Sequence, residues 1–211
     1  METTHKFLDK YPIKPESEHL IIGTIHAPET DIVEFFYGSS VSIWRIFKEC
    51  IPTIDLNPNN LDSILVFLKR NKISVTDTIR VCERIDGSAL DSKLIPKEFN
   101  TILLEQLLNS TVENLYFTSG FGKNNAFRLF YINILRKKYV EDTLKKQRVF
   151  DLSVGDRIFK CYILYSPSGS ANRSIARSIE YKNNIEKYKD IDHPVNAFRI
   201  DNYRKIFSFL K

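Results

Sequence analysis

The sequence predicts an α/β fold, a three-layer α/β/α arrangement around a central four-stranded, mostly parallel sheet. Three observations carry this expectation. Four short runs have strand character, segments of helical period lie between them, and the runs are apolar throughout, as strands covered on both faces are.

The strand candidates are Leu20 to Thr24, Ile73 to Thr76, Leu115 to Thr118 and Tyr162 to Tyr165, each rich in β-branched or aromatic residues. The first helical stripe is Ile43, Phe47, Cys50 and Ile51. Leu61, Ile64, Leu65 and Leu68 form the next, behind a plausible N-cap at Asn60. Phe99, Ile102, Leu103 and Leu107 make a third, and Phe127, Phe130, Tyr131, Ile134 and Leu135 a fourth. Ser174 to Tyr188 reads as helical, and Tyr203, Ile206, Phe207 and Leu210 mark a closing amphipathic helix.

A chain of 211 residues, 43% hydrophobic with 15 Phe and 10 Tyr, has material for one ordinary core, so a single domain over 1–211 is expected. Within it, 1–18 reads as a loosely packed lead-in and 196–211 as the C-terminal amphipathic helix. No apolar run approaches the roughly 18 to 20 residues a bilayer span needs, and the first residues lack the basic-then-apolar order of a secretory signal. The expectation is a soluble, intracellular monomer without membrane contact, cytoplasmic in a bacterial-type cell or nuclear in a eukaryote.

Cys50, Cys82 and Cys161 are far apart and embedded in apolar sequence, which suits buried free thiols better than a disulfide framework or a metal site. His5, His19, His26 and His193 show no ligand spacing. No metal and no cofactor are therefore expected. The formal charge is +5, and the excess is concentrated: 136–148 carries six basic residues against two acidic, and 173–189 carries five against two. Such stretches suit a polyanionic partner if other signals agree.

In open parallel sheets ligands collect at the carboxyl ends of the strands. The loops to inspect are therefore 24–36, 77–92, 119–125 and 166–172. Ser166-Pro-Ser-Gly-Ser-Ala-Asn172 offers hydroxyls, an amide and backbone N–H groups, a polar cradle for a phosphate or the edge of a nucleobase, or alternatively a helix-capping turn. Gly23-Thr-Ile-His-Ala-Pro28 leads into an aromatic cluster running from Phe35 to Trp44, either core or a wall on which a planar base stacks. No Walker or Rossmann glycine loop is present, which argues against a nucleotide-dependent hydrolase or transferase.

Taken in order, Gly-Thr-x-x-x-Pro after a strand, Phe36-Tyr-Gly with Trp44, Asp77, Arg84, Gly87-Ser-Ala-Leu-Asp91, and Ser166 to Asn172 resemble the uracil-DNA glycosylase superfamily. The chain looks closest to its hypoxanthine-DNA-glycosylase-like branch, with features of the mismatch-specific enzymes in the last motif. The resemblance runs over Leu20 to Arg173 and rests on order and spacing.

That resemblance implies hydrolysis of the bond between a deaminated or modified base and deoxyribose, in duplex or single-stranded DNA, after the nucleotide is flipped out. It implies a base pocket from Gly23, Thr24, Ile25, Phe36, Tyr37, Ser166 and Ser168, and DNA contacts from Ser170, Asn172, Arg173 and Arg177. The chain departs from the pattern at Ile25, where most relatives have Asp or Asn, at Ser42, where the hypoxanthine-like branch has Asn, and at Ser166, where many have His or Asn. A hydroxyl can position a water but is a weak base. Ser42, Glu29 and His26 are the expected catalytic residues, with Glu29 favoured for activating water. Asp77 and Asp91 are further candidates, Asp77 alternatively as a turn cap and Asp91 alternatively as a partner of Arg84. The rival reading is a glycosylase-like module that binds or senses modified bases or single-stranded nucleic acid without cleavage.

Overall fold

The structure, a computed structural model, describes residues 1–27, 32–39 and 42–211. They form two compact units, one of residues 1–30 and 72–164, the other of 31–71 and 165–211.

The first unit contains the central sheet. Its strands are β2 (His19–Gly23), β3 (Ile73–Asp77), β6 (Asn114–Phe117), β7 (Val149–Val154) and β8 (Arg157–Ile163), in the order β3-β2-β6-β8-β7. β3, β2, β6 and β8 are parallel, with Ile21 opposite both Val75 and Tyr116. The α/β class is as expected, but the sheet has five strands. The fifth, β7, is antiparallel to β8 and closes one edge. Its sequence explains the difference: Phe150, Leu152 and Val154 are buried while Asp151 and Ser153 are exposed, the alternation of a half-covered antiparallel strand. Gly155, at φ 59°, supplies the left-handed residue that the tight β7–β8 turn requires.

A second sheet, β1 (Glu2–Thr4), β4 (Ile79–Arg84) and β5 (Leu94–Phe99), is antiparallel in the order β1-β4-β5. The segment expected as a loop after β3 thus contains a strand, β4, followed by two short 3₁₀ turns. The lead-in is not loose either. β1 pairs with β4, and His5, Phe7 and Leu8 are buried.

One face of the central sheet carries Leu20, Ile22, Leu115, Phe117, Cys161 and Ile163 into a continuous apolar core. Helix α3 (Ile102–Leu108) adds Leu103 and Leu107 to that core, and α4 (Ala126–Leu129) adds Phe127. α4 runs directly into a π turn over Phe130–Ile134, which contributes Phe130, Tyr131 and Ile134, so the fourth stripe is two helical pieces. The basic stretch 136–148 holds only the short α5 (Asp142–Lys145). The C-terminal carbonyls of α3 are collected by Arg157 of β8, which donates to the oxygens of Leu107 (3.0 Å), Leu108 (3.3 Å) and Ser110 (2.7 Å), and to that of Val112.

The second unit is helical. α1 (Ile43–Cys50) and α2 (Leu61–Arg70) form where the stripes and the Asn60 cap predict, the Asn60 carboxamide accepting from Ser63 N at 2.8 Å. α6 (Asn172–Ala176), α7 (Ile179–Lys182) and a 3₁₀ turn over Ile185–Lys187 replace the single helix expected from 174 to 188. Ser178 is the reason: its hydroxyl accepts from Tyr181 N and starts a new helix. α8 (Pro194–Ile206) begins at a proline and packs on α1, with the Phe47 ring 4.8 Å from Phe207 and 6.3 Å from Tyr203. Arg204 Nε donates to the Cys50 carbonyl at 2.9 Å and Cys50 Sγ to that of Ile200 at 3.2 Å. Cys50, Cys82 and Cys161 are buried free thiols.

Candidate active site

The carboxyl ends of β2, β3 and β6 carry a polar cluster within the first unit. Thr24 follows β2, and its hydroxyl donates to Asp91 Oδ1 at 2.9 Å. Ser119, just beyond β6, donates to Asp91 Oδ2 at 3.5 Å and accepts from Ala126 N at 2.8 Å, so the start of α4 orients it. Asn124 holds the loop that presents Asp91, its Nδ2 donating to the carbonyls of Asp91 (2.9 Å) and Leu94 (2.7 Å).

Burial pushes the Asp91 carboxyl up to about 6, and the nearby Asp77 charge adds to the shift, against the pull of the Thr24 and Ser119 hydroxyls and of Arg84. A carboxyl titrating there exchanges a proton readily at neutral pH.

Behind it lies a buried imidazole cluster. Asp77, at the end of β3, pairs with His5 Nε2 at 2.8 Å, and His5 Nδ1 accepts from Phe7 N at 3.1 Å. The His26 ring is 4.9 Å from that of His5 and 5.5 Å from that of Phe7, both edge-on, and its Nδ1 has no partner. Burial, reinforced by His5, lowers His26 to about 4, so it is neutral above that pH. Arg84 fixes its backbone: Nη2 donates to the His26 carbonyl at 2.5 Å, Nη1 to that of Ser88 at 3.1 Å and Nε to the Thr3 hydroxyl at 3.1 Å. The expected Arg84–Asp91 pair is thus not made as a hydrogen bond, because neutral oxygens take the guanidinium donors. Asp77 does not cap a turn through its side chain but anchors His5.

The remaining expected residues fall in different settings. Gly23 ends β2, its carbonyl accepting from Thr78 N at 3.0 Å. Ile25 packs against the cluster of Ile79, Cys82, Leu94 and Leu129. Glu29, favoured above for water activation, lies outside the described residues.

Phe36, Tyr37 and Ser42 belong to the second unit. Phe36 is buried edge-on to Phe35 at 5.2 Å, and its carbonyl accepts from Trp44 Nε1 at 2.9 Å. Tyr37, at φ 56°, lies edge-on to Trp44. Gly38 follows because a Cβ there would lie 1.9 Å from the Val33 carbonyl oxygen. Ser42 is buried as the N-cap of α1, accepting from Arg45 N at 3.5 Å.

The 166–172 loop is a run of serine turns. Ser166 Oγ accepts from Ser168 N, Ser168 Oγ accepts from Ser170 N, and the hydroxyls of Ser168 and Ser170 are 2.8 Å apart. Ser168, Ser170, Asn172, Arg173 and Arg177 are exposed and Ser166 is half-buried. His5, Ser119 and Asn124 were not among the expected site residues. The interest of the 119–125 loop was visible in the sequence, whereas nothing in the spacing linked His5 to Asp77.

No protein-family model and no curated protein matches the sequence. Among solved structures, the chain is similar to the solution NMR structure of a candidate uracil DNA glycosylase from Methanosarcina acetivorans, with a TM-score of 0.51 and 17% identity over 98% of this chain and 99% of that one. The fold is uracil-DNA-glycosylase-like. At that identity the likeness concerns the fold, and the chemistry rests on the residues described above. Among the described residues no group of three or more His, Cys, Asp or Glu side chains is placed to hold a metal ion, and no helix is long and apolar enough to cross a membrane.

Proposed function

We propose that the protein is a monofunctional DNA glycosylase that hydrolyses the N-glycosidic bond of a deaminated or modified base flipped out of DNA, with Asp91 as general base. The observation that carries this reading is the Asp91 carboxyl, held by hydroxyls at the ends of two adjacent parallel strands and titrating near 6. In the reaction, water attacks C1′ and gives its proton to the Asp91 carboxylate while the C1′–N bond breaks and its electron pair leaves with the base. An anionic carboxylate beside the sugar also stabilises the positive charge that grows there. Asp91 takes the role first expected of Glu29, and His26 is neutral, its ring packed edge-on against His5 and Phe7.

On this reading Ser166 and Ser168 offer hydrogen bonds to DNA, and Ser170, Asn172, Arg173 and Arg177 contact its phosphates. The test is single-turnover base release from oligonucleotides carrying uracil, hypoxanthine, xanthine, thymine mismatches or hydroxymethylated pyrimidines, followed by hot alkali. Asp91→Asn is expected to lower the rate by about 10² to 10⁴, the usual worth of a general base, with lesion binding retained. Unchanged scission in that variant removes Asp91 from the chemistry.

One observation favours a second reading, a module that binds modified bases without cleaving them. Ile25 is turned into an apolar cluster at the position where most glycosylases of this fold carry Asp or Asn. Lesion-selective binding by the wild-type protein with no scission on any substrate would establish that reading instead.

A further inference from the structure

The second unit contains a cavity of about 440 Å³ lined by Gly169, Asn172, Asp192, His193, Asn196 and Arg199, among others. Arg199 is 2% exposed, and among the described residues its hydrogen bonds go to neutral oxygens: Nη1 to Asn196 Oδ1 at 3.3 Å, Nη2 to the Ser168 carbonyl at 3.4 Å and to Asn172 Oδ1. Its Nε is buried without a partner. Among the described residues no carboxylate hydrogen-bonds to it; the Glu49 charge acts on it through space, and a buried guanidinium without a hydrogen-bonded counterion is costly.

The same cavity receives the amino end of α8, a helix of 13 residues. Pro194 has no N–H, and the N-cap His193 makes no side-chain cap, so the first-turn amides of Val195 and Asn196 have neither an intrahelical nor a capping acceptor. A helix start and a buried guanidinium whose Nε lacks an acceptor meet at one cavity.

We propose that this cavity is an anion site for a phosphate group, bound by the first-turn amides of α8 and by the field of Arg199. Asn172 belongs to both the cavity wall and the Arg199 network, so an occupant would also stiffen the 168–172 loop. Asp192, in the cavity wall, opposes an anion and limits the affinity. The phosphate comes either from a nucleic-acid backbone or from a free phosphate or mononucleotide. The proposal does not depend on glycosylase activity.

The experiment is a titration of ¹⁵N-labelled full-length protein with inorganic phosphate, set against sodium chloride at equal ionic strength, following the amides of Val195 and Asn196. A saturable shift with phosphate alone is expected, weakened about tenfold in Arg199→Gln and tightened about threefold in Asp192→Asn, the changes expected for a neighbouring unit charge. Asp192 is exposed, so its variant serves even where Arg199→Gln fails to fold. Displacement of phosphate by a short unmodified duplex identifies a backbone phosphate as the occupant, and displacement by a mononucleotide but not by duplex identifies a free one. No saturable shift, or the same phosphate affinity in wild type and Asp192→Asn, overturns the site. Since no turnover is read, loss of the glycosylase reading leaves this result standing.

Discussion

Burial moves the ionisation of Asp91 up and that of His26 down and gives them opposite effects on stability. His26 falls from 6.5 to about 4, so its contribution is fully present above pH 6.5 and is lost as pH falls through about 4. Asp91 rises from 3.8 to about 6, so its contribution is fully present below pH 3.8 and is lost as pH rises through about 6. The two slopes partly cancel in wild type and separate in variants. Asp91→Asn is expected to raise stability above pH 6 by about 1 to 3 kcal/mol and to leave a protein that weakens on acidification. His26→Phe should instead gain stability as pH drops from 6 toward 4, and urea denaturation at several pH values reads both. If Asp91 is the base, the single-turnover rate also climbs through pH 6 in wild type and loses that limb in Asp91→Asn. Asp91 stood in the sequence as a candidate because it ends a Gly-Ser-Ala-Leu-Asp motif. The hydroxyls that favour it in the proposed reaction, those of Thr24 and Ser119, were not legible as its partners, since they follow different strands.

At the scale of elements, apolar runs found β2, β3 and β6, and helical period found α1 and α2, whereas the run at 162–165 caught only the end of β8. Neither signal found the antiparallel strands. The Val154-Gly-Asp-Arg157 turn between alternating residues was a readable hairpin signal, whereas β4 and β5 have irregular burial and a bulged register. β8 does more than extend the sheet. Arg157 spreads one planar fork over four carbonyls after α3, and its guanidinium also lies 4.7 Å from the Phe159 ring centre. Arg157→Lys keeps the charge and loses the fork. It is expected to cost about 1 to 3 kcal/mol, with amide exchange accelerating first in α3, and an unchanged denaturation midpoint would refute the clamp.

For the molecule as a whole, charge and fold address different questions. A net charge of +5 favours polyanions without naming one. The exposed Arg173 and Arg177, next to the serine turns, give the charge a place to act. Replacing both by Ala should reduce the slope of log affinity for DNA against log salt by about 2, roughly one unit per lost phosphate contact. A slope unchanged within error would move the DNA path elsewhere, with the 136–148 stretch the next region to test.

The pairing of β1 with β4 bears on how the molecule is made. His5 and Asp77 are 72 residues apart, and each end of that bond lies beside a strand that needs the other region to complete it. During synthesis β1 has no partner until the segment through Arg84 has followed. The wall behind Asp91 is therefore sealed by a strand that must wait for one made some eighty residues later, and a substitution in β1 would reach the interior through His5.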